Sequence, residues 1–180
     1  DFDRLRSGEI SLIVLTEDRK VNLLERLLVL NGFNFESVLV YSYKTSSNIE
    51  SASLFVEFLK EVSPQSEVMI HRDRDFMTDD EVAVVEARII GAGAIPFITK
   101  GSDIESYFVD PLFLAQMVNE SDHTVITAWL DQIATECHLE IQHNFTRKRD
   151  EIFERVHKRN RDLAPDTLEL IGRSIPLSED

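Results

Sequence analysis

Along the first hundred residues, short apolar runs alternate with longer stretches whose apolar positions recur at helical spacing. "SLIVL" (11–15) predicts a short buried strand. A helix is expected from Lys20 to Leu30, with Val21, Leu24 and Leu28 on one face, Leu23, Leu27 and Leu30 beside it, and Gly32 as its stop. "SVLVYSY" (37–43), β-branched and aromatic, predicts a second strand. The polar loop "KTSSN" then leads into a helix over Ile49 to Val62, expected to turn Phe55, Phe58, Leu59 and Val62 inward and ended by Pro64. "EVMIH" (67–71) predicts a third strand. Thr78 and Glu81 have the T-x-x-E spacing of a capping box, so a helix should start near Asp79, bury Val82, Val85 and Ile89, and stop at "GAGA". "AIPFIT" is the fourth strand, and Pro96, which has no N–H to give a ladder, predicts an edge position or a strand start.

Four strands alternating with three helices predict an α/β fold with a four-stranded, mainly parallel sheet flanked by helices and joined by right-handed crossovers. After residue 100 the pattern changes. "SDIESYFV", "DPLFLAQMVN" and "SDHTVITAWLDQIATECHLEIQ" read as consecutive helices, with Asp110 and Pro111 as an N-cap and first-turn pair. The expected tail is therefore a helical C-terminal extension.

The 180 residues are 43% hydrophobic, enough for a real core. No apolar run approaches the roughly 20 residues of a membrane span, and no signal-peptide pattern opens the chain. A single cysteine, Cys137, excludes an intrachain disulfide framework and fits a reducing, cytoplasmic setting; it is expected to be buried as a small apolar side chain. The chain opens on Asp1 and is read as an excised or processed piece. Its net charge of −14 disfavours a broad nucleic-acid surface. The charge is uneven, however: Thr146 to Asp162 holds seven Lys/Arg against four Asp/Glu. Within that segment Arg147, Lys148, Arg155, Lys158 and Arg159 are the candidates for contacting nucleic acid, with a solvated helix ion-paired to Glu151 and Glu154 as the equal alternative.

In open parallel sheets, ligands bind beyond the carboxyl ends of the strands. Acids recur there: Glu17 and Asp18 after the first strand, Asp73 and Asp75 after the third, Glu105 with Lys100 and Ser102 after the fourth. Asp73 and Asp75, two apart, are expected to share one strand face while Arg72 and Arg74 point the other way. Such convergent carboxylates suit a hard cation such as Mg²⁺.

The ordered motifs "VLTED" (14–18), "HRDRDF" (71–76) and "TKGSDIESYFVDP" (99–111) resemble the Toprim domain, in the form found in overcoming-lysogenization-defect (OLD) nucleases and related ATPase-linked defence proteins. The resemblance covers roughly residues 10 to 120. It implies a Toprim-like domain over 1–120 and a helical extension packed on it over 121–180. It also implies a Mg²⁺- or Mn²⁺-dependent endonuclease acting on DNA or RNA, as the effector of an ATPase-linked antiviral defence system within an oligomeric assembly. By the resemblance Glu17 is a catalytic glutamate, Asp73 and Asp75 bind metal, Glu105 is the later acidic ligand, and Lys100 contacts phosphate or leaving group. The family's glycine after the glutamate is Asp18 here, and Val21 stands where a further acid is usual. Either Asp18 supplies the missing carboxylate to the metal from a shifted position, or the first site binds metal poorly.

Other readings of these residues stay open. Glu17 and Asp18 also suit a first helical turn, where the dipole favours acids. Ser102 and Glu105 have capping-box spacing. His71 immediately precedes the D-x-D motif, and His138 and His143 lack metal-ligand spacing; all three default to structural roles, and Trp129, with Ile126 and Ile133, reads as core. No P-loop occurs, so an ATPase would be a separate subunit or a missing N-terminal domain. A catalytically inactive Toprim-like scaffold docking an ATPase partner is the alternative function. A phosphoacceptor receiver domain is the third, disfavoured by the D-x-D spacing and the long tail.

Overall fold

The fold comes from a computed structural model, which describes residues 2–43, 49–119, 122–157 and 164–174. The element order is α1 (Phe2–Ser7), β1 (Leu12–Thr16), α2 (Asn22–Leu30), β2 (Val38–Ser42), α3 (Ile49–Val62), β3 (Glu67–Arg72), α4 (Asp79–Gly91) and β4 (Ile95–Ile98), followed by a 3-10 turn (Glu105–Phe108), α5 (Pro111–Met117), α6 (His123–Glu136), α7 (His138–Val156) and α8 (Thr167–Ser174). The loop "KTSSN" and the basic candidates Lys158 and Arg159 lie outside the described residues. Two compact units result: Asp1–Arg74 with Thr78–Ile104, and Asp75–Met77 with Glu105–Asp180.

The first unit is an α/β fold built on a sheet of order β2-β1-β3-β4, parallel throughout. β1 is buried at all five positions, four apolar residues and Thr16, as a central strand of a parallel sheet covered on both faces must be. β2 and β4 are the edges, and Pro96 sits in β4 as its missing N–H requires. One core layer joins Leu12, Val14, Leu24, Leu28, Val38 and Ile104. Helix α2 starts at Asn22, two residues later than the periodicity suggests, with Val21 at its N-cap. Its buried stripe is Leu24 and Leu28, while Leu30 is exposed. Gly32 follows the helix at φ 85°, a conformation that favours glycine.

In α3 the buried stripe is Ala52, Val56 and Leu59, at helical spacing. Phe58 is not inward as expected: it stacks on Phe55, ring centroids 6.1 Å apart, and Phe55 meets Tyr41 of β2 at 5.4 Å. The aromatic rings therefore form a half-exposed cluster beside the edge strand rather than part of the core. Helix α4 opens with the expected capping box. Thr78 Oγ1 accepts from the Glu81 amide, and Glu81 Oε2 accepts from the Thr78 amide at 2.8 Å. This pairing is why a glutamate is tolerated at 2% exposure. The short helix α1 was not evident in the chain pattern; Ser63 Oγ and Gln65 Nε2 donate to its Leu5 carbonyl at 2.8 and 3.1 Å.

The second unit is helical. Asp110 caps α5 through the Phe113 amide with Pro111 behind it, and Asp122 caps α6 through Thr124. Both hydrogen bonds from Thr124 hold the Asp122 carboxyl below the usual carboxylate range. "SDIESYFV" is not an α-helix: only Glu105–Phe108 turn, as 3-10, and Ser102 donates to Asp103 instead of capping. Ile104 is drawn into the sheet core, and its amide donates to Asp73. Trp129 is 55% exposed, contrary to the core expectation; α6 buries Ile126 alone, because a short neighbour such as α5 covers only a narrow stripe. Cys137 is half-buried, where α6 gives way to α7. The best-buried side chains of α7 are Phe145, Arg149 and Ile152. Phe145 packs on Phe76 at 4.7 Å and Arg149 donates to the Phe76 carbonyl at 3.0 Å, which ties the 75–77 segment into this unit.

Among the described residues, no helix is long and apolar enough to cross a membrane.

Candidate metal centre

From β1 the chain crosses to β2 on one side, then returns to lay β3 on the other side of β1. The carboxyl ends of β1 and β3 therefore flank the topological switch point, where ligands of open parallel sheets bind. Thr16, the last residue of β1, is in register with His71 of β3. Both are polar, and both are wholly buried.

Thr16 Oγ1 is the hub of this edge. It accepts from the Asp18 amide at 3.1 Å, lies 3.3 Å from Asp18 Oδ2, and stands 3.0 Å from His71 Nδ1. Asp18 Oδ2 is itself 3.6 Å from Nδ1. The one hydroxyl proton of Thr16 is donated to Asp18 Oδ2, so Oγ1 is left to accept from Nδ1–H and the ring proton is assigned to Nδ1. Nε2 then carries the lone pair. It is buried, has no hydrogen-bond partner among the described residues, and faces Asp73 Oδ1 at 4.0 Å. An unsatisfied buried polar atom costs about 1–3 kcal/mol. Burial, reinforced by the neighbouring Arg72 guanidinium, lowers the His71 pKa to about 4, so the ring is neutral near pH 7. Phe97 of β4 packs against it at 5.0 Å between ring centroids.

Asp18, His71 and Asp73 each offer a ligand atom within 4.8 Å of the others. The donor set, two carboxylates and a neutral imidazole, fits a divalent ion, and the orphaned Nε2 is the atom such an ion would satisfy. Asp73 also braces the fold, because its Oδ1 accepts from the Ile104 amide at 3.1 Å and so tethers the loop after β4. Thr99 adds a second tether, accepting from the Arg74 amide at 2.8 Å and donating to the Gly101 carbonyl at 3.0 Å.

The remaining candidates lie as follows. Glu17 is paired with the buried guanidinium of Arg72 at 3.5 Å. Lys100 is exposed directly after Thr99. The idea that Asp73 and Asp75 share a strand face fails because β3 ends at Arg72. Asp75 instead takes φ 51° and, within the second unit, pairs with Lys148 at 3.1 Å. Arg74 likewise pairs with Asp79, at 2.6 Å. Glu105 opens the 3-10 turn of the second unit and is exposed. On α7, Glu151 collects Arg155 at 2.8 Å, Lys148 at 3.7 Å and Arg147 at 4.0 Å, so the basic stripe is partly neutralised by its own helix.

Fold and cluster together define the class: an α/β protein of parallel sheet with a compact Asp/His group at its switch point. Comparison with protein-family models, with curated proteins and with solved structures gives no match. Reading the chain residue by residue missed two members of the site, Thr16 and His71. The signal for both was a polar residue closing an apolar run, at the end of strands that parallel pairing makes neighbours.

Proposed function

We propose that the chain is a divalent-metal-dependent phosphodiesterase, a Toprim-like nuclease module acting on DNA or RNA. The observation that carries this reading is the meeting of Asp18 and Asp73, from two of the three Toprim-like motifs, at the switch point of the sheet. A divalent ion bound there would polarise a water for attack on phosphorus and neutralise charge at the leaving oxygen. Asp18 and Asp73 would hold that ion. Glu17, oriented by Arg72, is the carboxylate to take the proton from the attacking water, and Lys100 is the cation for a phosphate oxygen. The resemblance implies metal-ligand roles for Asp75 and Glu105 as well, which belong to the second unit.

In this proposal the module works in the cytoplasm with an ATPase, on a separate subunit or another part of a longer chain, in antiviral defence. Support comes from the motif resemblance, the absence of a P-loop from the sequence, and the exposed apolar residues Leu112, Met117, Val118 and Trp129 of the helical unit. One observation favours the second reading, an inactive scaffold that docks an ATPase: Asp75 is engaged by Lys148 and stands outside the Asp/His group.

The test is cleavage of end-labelled single- and double-stranded DNA and RNA in Mg²⁺ or Mn²⁺, with and without ATP and any ATPase that co-purifies with the chain. Cleavage that disappears in Asp73→Ala supports the nuclease. Full cleavage by Asp73→Ala in Mn²⁺ would defeat it, and no cleavage under any of these conditions favours the scaffold.

A further inference from the structure

The geometry points to His71 as a metal ligand through Nε2, in a mixed nitrogen–oxygen site with Asp18 and Asp73 that takes a first-row transition ion in preference to Mg²⁺. This deepens the metal part of the reading above, resting on it only for which edge of the sheet holds the ion. It stands whether or not the chain cuts nucleic acid.

Four observations carry it. The ring is wholly buried, yet Nε2 has no hydrogen-bond partner among the described residues. The other nitrogen is committed: Nδ1 lies 3.0 Å from Thr16 Oγ1, which gives its own proton to Asp18 and accepts the one on Nδ1. Histidines that bind metal are held in just this way, one nitrogen donating to an oxygen and the other left bare for the ion. The bare atom faces Asp73 Oδ1 at 4.0 Å. Two ligand atoms on one first-row ion, each bonded at about 2.1 Å, sit about 3–4 Å apart, so a small turn of the Asp73 carboxylate closes the site.

The fourth is the ring's position in the fold. His71 is in register with Thr16 on one side and Phe97 on the other, so two neighbouring strands fix its orientation. It needs no flexible loop to reach the ion. The choice of ion follows from the donor. Mg²⁺ keeps oxygen ligands and several waters, whereas a neutral imidazole suits Fe²⁺, Ni²⁺, Cu²⁺ or Zn²⁺. The two carboxylates retain enough oxygen character for Mn²⁺, which makes it the most useful probe.

The experiment uses the whole chain stripped with chelator. Isothermal titration with Mn²⁺, Zn²⁺ and Mg²⁺ is expected to give one site per chain, at least tenfold tighter for Mn²⁺ and Zn²⁺ than for Mg²⁺. Pulsed EPR of the Mn²⁺ form should show ¹⁴N modulation from a bound imidazole, and His71→Gln should remove it and weaken Mn²⁺ at least tenfold. A Mn²⁺ spectrum without nitrogen coupling in the unaltered protein overturns the proposal even if the variant fails to fold, as does equal affinity for Mg²⁺ and Mn²⁺. Nitrogen coupling without cleavage supports the site and sinks the nuclease reading. Mg²⁺-driven cleavage without nitrogen coupling supports the nuclease and sinks the site.

Discussion

Thr16 Oγ1 and His71 Nδ1 stand 3.0 Å apart across the pairing of β1 with β3, both buried, at the carboxyl end of the sheet. One hydroxyl thus links the histidine to Asp18. Thr16→Val keeps the shape and removes that oxygen, leaving Nδ1–H and the Asp18 amide without it. We expect a loss of about 1–3 kcal/mol in urea unfolding with an unchanged m-value, and near-complete recovery in Thr16→Ser. Equal stability of the valine variant would show that the hydroxyl is not the hub.

His71 also makes the stability of the metal-free protein depend on pH. Its ordinary value of 6.5 falls to about 4 in the fold, through burial first and Arg72 second. Between these values the unfolded chain binds the extra proton and the folded chain does not. Stability is therefore complete above about pH 6.5 and is lost as pH falls toward 4, by about 3 kcal/mol over the whole window. With chelator present, the difference in unfolding free energy between the unaltered protein and His71→Gln should shift by that order between pH 7 and 4. Parallel pH profiles would contradict it.

Asp75 separates backbone from charge. At φ 51° it occupies the left-handed region, which asparagine and glycine tolerate and alanine does not. Asp75→Ala should be about 1 kcal/mol less stable than Asp75→Asn, although both lose the carboxylate that meets Lys148. Mn²⁺ affinity is the second readout: Asp73→Asn is expected to reduce it more than Asp75→Asn, since Asp73 belongs to the Asp/His group.

Glu151 restrains the basic helix. Because Arg147, Lys148 and Arg155 converge on it, Glu151→Gln should release them toward a polyanion. Nucleic-acid affinity should rise and its salt dependence steepen, while stability changes by about 1 kcal/mol or less, as for exposed ion pairs. Charge reversal at Lys148 and Arg155 should do the opposite. A salt slope that ignores both changes would place the contact surface elsewhere.

Glu17 and Asp18, adjacent in sequence, are expected to fail differently. Glu17→Gln should remove most turnover while Mn²⁺ binding persists, since Glu17 pairs with Arg72 and lies outside the Asp/His group. Asp18→Asn should weaken Mn²⁺ and turnover together. Normal turnover in Glu17→Gln would end its catalytic assignment.

The chain pattern alone determined the alternation of strands and helices from residue 11 to residue 99, the edge position of Pro96 and the capping box of α4. Those features depend on the spacing of neighbours, which a linear reading contains. It also brought forward Asp18 and Asp73, because acids after apolar strands sit at one edge of any parallel sheet. Only the tertiary structure decided that β1 and β3 are adjacent, and only that adjacency sets Thr16 against His71. It likewise ended β3 at Arg72 and turned Asp75 to Lys148, two events that the even spacing of D-x-D does not contain. Phe58 and Trp129 went the same way: their helical spacing was right, but the width of the buried stripe is set by the partner that covers it. The histidine is the clearest case. In sequence it is one polar residue beside a motif, and its bare nitrogen exists only because packing removes water and a neighbouring strand takes the other proton.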